Sequence, residues 1–184
     1  MEKVPAIVFT LGHGARTIDD FLGVLDSYHI RCLVDVRTVP RSRHNHQFNK
    51  DALSSVLEGQ GIDYRHAPGL GGFRHPRPDS VNDGWRNESF RGFADYMATE
   101  TFGKAMDELV LLSAATRTVL VCAETLPWRC HRSLIADALT VRGIAVEHIF
   151  KVGVSQKHRM TPWARTDGNR LTKLPRKPLD SSMG

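Results

Sequence analysis

No stretch of the chain approaches the roughly 18 consecutive apolar residues that a membrane-spanning helix needs. The opening MEKVPAIVFT also lacks the apolar core and small-residue cleavage site of an export signal. The expectation is a cytoplasmic protein with no membrane partner. Cysteine is scarce: Cys32, Cys122 and Cys130 are an odd number in a chain read as intracellular, which points to reduced thiols rather than a disulfide framework. Cys32 opens the run Cys32-Leu33-Val34 and reads as a small buried hydrophobe. An excess of one charge is missing from most of the chain as well. The net charge is +5, yet eight Lys or Arg against two Asp from Lys151 onward leave the first 150 residues at −1. Basicity belongs to the tail and to one local cluster, Arg37, Arg41 and Arg43, followed by His44 and His46. A solvated charged face and a nucleic-acid contact are the two readings of such a tail.

What is present is globular in kind. Hydrophobic residues at 41% and charged residues at 24% are the proportions of a folded domain, and 184 residues suit one core rather than two. Ala6 to Thr10 is a short apolar run closed by Gly12-His13-Gly14, the pattern of a buried strand entering a tight loop. Thr17 then caps a helix whose apolar face is Phe21, Leu22, Val24 and Leu25. A second buried run, Cys32 to Val36, follows closely, and the order strand, helix, strand is the crossover of a parallel sheet. Helical spacing recurs from Lys50 to Gly59, Phe90 to Thr99, Thr101 to Ala115 and Ser133 to Arg142. Strand-like runs cover Ile62 to His66, Thr118 to Cys122 and Ile144 to Phe150. The Gly- and Pro-rich segment from Pro68 to Trp85 is too long for an idle connection and reads as a binding loop or lid. These elements predict a single-domain α/β fold with a mainly parallel sheet over residues 1–150. Residues 151–184 form a basic extension that wraps the domain, burying Trp163, or trails from it.

In open parallel sheets, ligands bind outside the carboxyl ends of the strands, where loops and helix N-termini converge. His13 follows the first strand, Asp35 and Arg37 end the second, and Cys122 and Glu124 end the central one, so these residues are expected to share one cleft with Arg132. Arg129, Cys130, His131 and Arg132 lead into the next helix, where backbone N–H groups and arginines favour an anion and acidify a nearby thiol. The candidate catalytic groups are Cys122, His13, His131, Asp35 and Glu124, with Cys122 the expected acidic thiol. The candidate substrate contacts are Arg37, Arg41, Arg43, Asn49 and Arg132. A structural alternative fits the same residues: a core Cys122, with Arg129 and Arg132 paired to Glu124 and Asp137.

Cys122 and Cys130 match none of the usual zinc spacings, so the sequence assigns no metal ligands. A set drawn in three dimensions from His13, Cys122, Cys130 or His131 stays open. The cofactor is left open. The function expected is that of an enzyme, a hydrolase or transferase using Cys122 and a histidine, acting on a phosphate-bearing or other anionic substrate such as a nucleotide or nucleic acid. The alternative is a nucleic-acid-binding module without turnover.

Six stretches carry a resemblance over nearly the whole chain: TLGHGARTIDDFLGVL, LVDVRTVPRSRHNHQFNKDAL, GIDYRHAPGLGG, FRGFADYM, VLVCAETLPWRCHRSLIADALTVRGI and HRMTPWARTDGNRLT. In these the sequence resembles the domain-of-unknown-function family numbered 488. The resemblance implies a three-layer α/β/α sandwich and a site around CAETLPWRCHRS, with no reaction attached. A weaker likeness in the order of elements links LVDVR and the strand ending in cysteine to rhodanese-like domains. It is an analogy of layout that carries no activity with it.

Overall fold

The first strand, β1 (Ile7–Gly12), is buried along almost its whole length, which is why its sequence is continuously apolar instead of alternating. The computed structural model describes residues 6–162, 164–168 and 170–173. After β1, the Thr17 hydroxyl accepts from the Asp20 backbone N–H and starts α1 (Ile18–Ser27). β2 (Cys32–Asp35), α2 (Lys50–Gly59) and β3 (Asp63–His66) follow. Then come α3 (Glu88–Tyr96), α4 (Glu100–Ala115), β4 (Thr118–Cys122), α5 (Arg132–Val141) and β5 (Ala145–Lys151). Among the described residues no helix is long and apolar enough to cross a membrane.

The main sheet has the order β3-β2-β4-β1-β5-β6, where β6 is Val154–Lys157. Its first five strands are parallel; β6 is antiparallel to β5. Successive residues of a strand face opposite sides, and each side carries its own core. Phe9, Leu33 and Val119 pack with Phe21, Leu25, Leu53 and Leu57 of α1 and α2. Val8, Val34 and Leu120 pack with Phe93, Met106, Leu134 and Leu139 of α3, α4 and α5. This is the three-layer α/β/α sandwich, and each fully buried Leu or Phe stabilises it by about 1.5–3 kcal/mol.

The chain leaves β1 through α1 toward β2 on one face, and leaves neighbouring β4 through α5 toward β5 on the other. The loops after these two adjacent strands therefore part, and a crevice opens where they do.

The segment after Gly153 contributes to the domain: β6 extends the sheet, and β7 (Arg165–Asp167) pairs with β8 (Arg170–Lys173) in a separate hairpin. Asp137 of α5 has no exposed surface, and this segment supplies its partners. His158 Nε2 donates to it at 2.8 Å, the Thr161 N–H at 2.9 Å and the Thr161 hydroxyl at 2.5 Å. Trp163, expected to be buried by a wrapping tail, lies outside the described residues.

Candidate functional site

β1 and β4 end side by side, Gly12 opposite Cys122, and the loops are stitched together by His13 N–H to Cys122 O at 2.9 Å and Gly14 N–H to Ala123 O at 3.0 Å. The end of β2 brings Asp35 beside them. This carboxylate is fully buried and held by Arg37, through Nε at 2.9 Å and Nη2 at 2.6 Å, and by the Tyr64 hydroxyl at 2.8 Å. Burial, with the Asp35 carboxylate next to it, pushes the Tyr64 phenol up, so it stays a donor.

Arg37 Nη1 also reaches His13 Nε2, at 3.3 Å. His13 Nδ1 faces the Gly14 carbonyl at 2.8 Å, which can only accept; the proton therefore sits on Nδ1, and Nε2 receives from Arg37. Its ring stacks on Phe48 at 4.3 Å. Burial pushes His13 down to about 4, with the Arg37 charge acting in the same direction, so the imidazole is neutral at ordinary pH.

The β4–α5 connection forms the opposite wall. His131 Nε2 lies 3.0 Å from the Val36 carbonyl and must donate to it, which leaves the Nδ1 lone pair facing Cys130 Sγ at 3.6 Å. Gly72 packs against this ring so closely that a Cβ there would lie 2.5 Å from Nδ1. Cys130 Sγ also receives Arg132 Nε at 3.3 Å and the Arg132 backbone N–H at 3.5 Å. Arg132 itself is buried. Its Nη2 donates to the Glu124 carbonyl, and its Nη1 meets the Thr10 hydroxyl at 3.5 Å. From Thr10 a buried chain runs through His148 (2.7 Å) and His158 (2.9 Å) to Asp137.

A cavity of about 400 Å³ opens on this wall. Cys122, Cys130 and His131 line it, and their Sγ and ring nitrogen atoms all lie within 4.8 Å of one another. Arg37, Arg41 and Arg129 supply positive charge, Glu124 the one carboxylate of the lining, and Phe73 and Phe90 aromatic surface. Arg41 and Arg129 are exposed, and neither guanidinium has a protein partner among the described residues.

Two sequence expectations change here. The cleft expected to hold His13, Asp35, Arg37, Cys122 and Arg132 is lined by Arg37 and Cys122, while His13, Asp35 and Arg132 stand behind the wall. The reason is electrostatic: a buried charge must be partnered, and Asp35 is held by Arg37 and Tyr64 while Arg132 is held by the Glu124 carbonyl, Thr10 and Cys130. The acidic thiol is Cys130 instead of Cys122. Its contact with Cys122 and then the Arg132 charge hold Cys130 well below the ordinary thiol range, and the same contact with burial raises Cys122.

Arg43 and Asn49 lie off the cavity wall. Arg43 is exposed, and Asn49 Oδ1 accepts from the Ser42 N–H at 2.7 Å, shaping the loop. Asp137 is partnered by His158 and Thr161 instead of an arginine. The sequence reading missed Phe73 and Phe90 as lining residues, although the length of the Pro68–Trp85 loop signalled the first. It also missed the Thr10–His148–His158 chain, whose members lie 138 and 10 residues apart and leave no local pattern.

Compared with known proteins, residues 17–139 match the family described as Domain of unknown function DUF488. Neither a curated protein nor a solved structure matches the chain.

Proposed function

Since the chain belongs to the family Domain of unknown function DUF488, whose description names no reaction, we propose a function from the site's own chemistry. The protein is an enzyme for a small phosphate-bearing substrate of the nucleotide type, bound in the cavity and acted on at the Cys122–Cys130–His131 wall. One observation carries this reading: reactive sulfur and nitrogen atoms converge on the wall of a cavity whose rim offers two unpaired guanidinium groups. Arg41 and Arg129 would hold phosphate oxygens, because a guanidinium presents paired donors in the geometry of an oxyanion. Phe73, 79% exposed, and Phe90 provide the faces on which a base would stack. Arg37 adds positive potential but is committed to Asp35 and His13. The reaction is a hydrolysis or group transfer at the bound phosphate ester.

The test is equilibrium binding of adenosine and guanosine mono- and triphosphates, alongside a single-stranded oligonucleotide, at 50 and 200 mM salt. The expected result is nucleotide binding that weakens about 10-fold or more in R41A or R129A, since a hydrogen bond to a charged group contributes roughly 1.5–3 kcal/mol. Turnover of the bound nucleotide should disappear in C130S. Oligonucleotide binding that collapses by orders of magnitude as salt rises, with no nucleotide bound, would identify a backbone-binding module instead.

A further inference from the structure

The geometry points to a zinc-type metal centre made by Cys122 Sγ, Cys130 Sγ and His131 Nδ1, with its fourth coordination position open to the cavity. It deepens the reading of this cavity as the working site by naming what its wall holds. Four observations support it.

The first is distance. Zinc–sulfur bonds of about 2.3 Å and zinc–nitrogen bonds of about 2.0–2.1 Å put tetrahedral ligands roughly 3.5–3.8 Å apart. Cys130 Sγ and His131 Nδ1 are 3.6 Å apart, and the third ligand atom lies within 4.8 Å of both. The second is the histidine tautomer. With Nε2–H given to the Val36 carbonyl, the ring presents an Nδ1 lone pair toward the sulfurs, the outer-shell arrangement that fixes a metal-binding imidazole.

The third is the surroundings of the sulfur. Two N–H groups of Arg132 point at Cys130 Sγ, which suits a coordinated thiolate, and two thiolates with a dication need no further counter-charge. The fourth is the seating of the ring: Gly72 packs on the imidazole face, where a Cβ would fall 2.5 Å from Nδ1 and 2.8 Å from Cγ, and so holds the ring with Nδ1 toward Cys130.

The donor set selects the metal class. Two thiolates and one imidazole are soft to borderline ligands, which suit zinc and exclude magnesium and calcium. Three protein ligands leave zinc one position short of its tetrahedron, and here that position faces a cavity of about 400 Å³. A water held there would be acidic enough to serve as hydroxide near neutral pH. Sequence spacing hid the set because the two cysteines lie on either side of a 3-10 turn, Pro127–Arg129, that folds the second back toward the first.

The test uses the full chain, reduced and stripped of metal, titrated with Co(II) and then Zn(II). The expected result is one cobalt per chain, with thiolate charge-transfer absorption and the intense visible bands of tetrahedral cobalt, bleached by one equivalent of zinc. C122S and C130S should each weaken zinc binding by more than about 100-fold, because losing an outer-shell partner alone costs 10–100-fold. C32S should bind as wild type, since Cys32 lies in the core away from the cluster. A second measurement needs no variant: zinc should slow alkylation of Cys122 and Cys130 in the wild-type protein, read residue by residue by mass spectrometry. Weak octahedral cobalt bands, a spectrum unchanged in both serine variants, or a Cys122–Cys130 disulfide in place of metal uptake would overturn the proposal. Nucleotide binding without metal would refute the centre and leave the cavity reading standing; metal binding without any nucleotide would do the reverse.

Discussion

Asp35 is a charge with no exposed surface, so its partners decide whether this end of the sheet holds. Replacing Arg37 by leucine leaves the carboxylate with Tyr64 as its side-chain partner, and stranding a buried charge costs about 3–5 kcal/mol. Urea denaturation should show that loss, whereas Y64F, which removes one hydrogen bond, should lose about 1–2 kcal/mol. His148 makes the opposite kind of contribution. Burial first, then its neighbours His158 and Arg132, pushes it down to about 4 from the ordinary 6.5. Because its folded pKa lies below the unfolded one, the unfolded chain binds the proton first as pH falls. Stability is therefore full above pH 6.5 and is lost progressively down to about pH 4, by up to about 3 kcal/mol. His13, also near 4, adds to the same window. Urea midpoints measured from pH 7 to 4 should fall more shallowly in H148Q, whose amide can hydrogen-bond but cannot titrate.

At the scale of elements, the long loop before α3 is fastened more tightly than its Gly and Pro content suggests. Asp95 of α3 accepts from the Arg77 N–H, the Ser80 hydroxyl and Asn82 Nδ2, and the Arg74 guanidinium sits 3.7 Å over the Tyr96 ring. Gly92 allows this approach: a Cβ there would fall 2.2 Å from the Arg74 carbonyl oxygen. G92A should cost about 1–3 kcal/mol, as overpacking does, and should speed proteolytic cutting between residues 72 and 86 while the sheet stays intact. Most elements were readable because their patterns are local: β1, β2 and β4 are continuous apolar runs, and α1, α2 and α4 carry a helical stripe. β6 was not, since Val154–Lys157 is polar and mostly exposed and is a strand through its pairing with β5. The site was half legible for a related reason. Strand ends told which residues gather there, but whether Arg132 faces the cavity or the interior depends on buried partners such as Thr10, which lies 122 residues away.

The whole molecule depends on its last described segment as much as on its sheet. Ending the chain after Gly153 would remove His158 and Thr161 from the buried Asp137 and bare the edge of β5. The shortened protein should lose at least about 3 kcal/mol and associate through that edge, seen as a lower melting temperature and a shift to larger species on gel filtration; D137N should rescue part of the stability. The order of the strands has a consequence for synthesis. β4 lies between β1 and β2, pairing Val8 with Thr118 on one side and Cys32 with Thr118 on the other. While the ribosome makes the first 117 residues, neither early strand has this shared neighbour, and their apolar faces stay uncovered until it arrives. Such long-range pairing makes folding slow and leaves the nascent chain prone to aggregate. In the cell, the yield of this protein should therefore depend on chaperone capacity during translation more than on the stability of the finished fold.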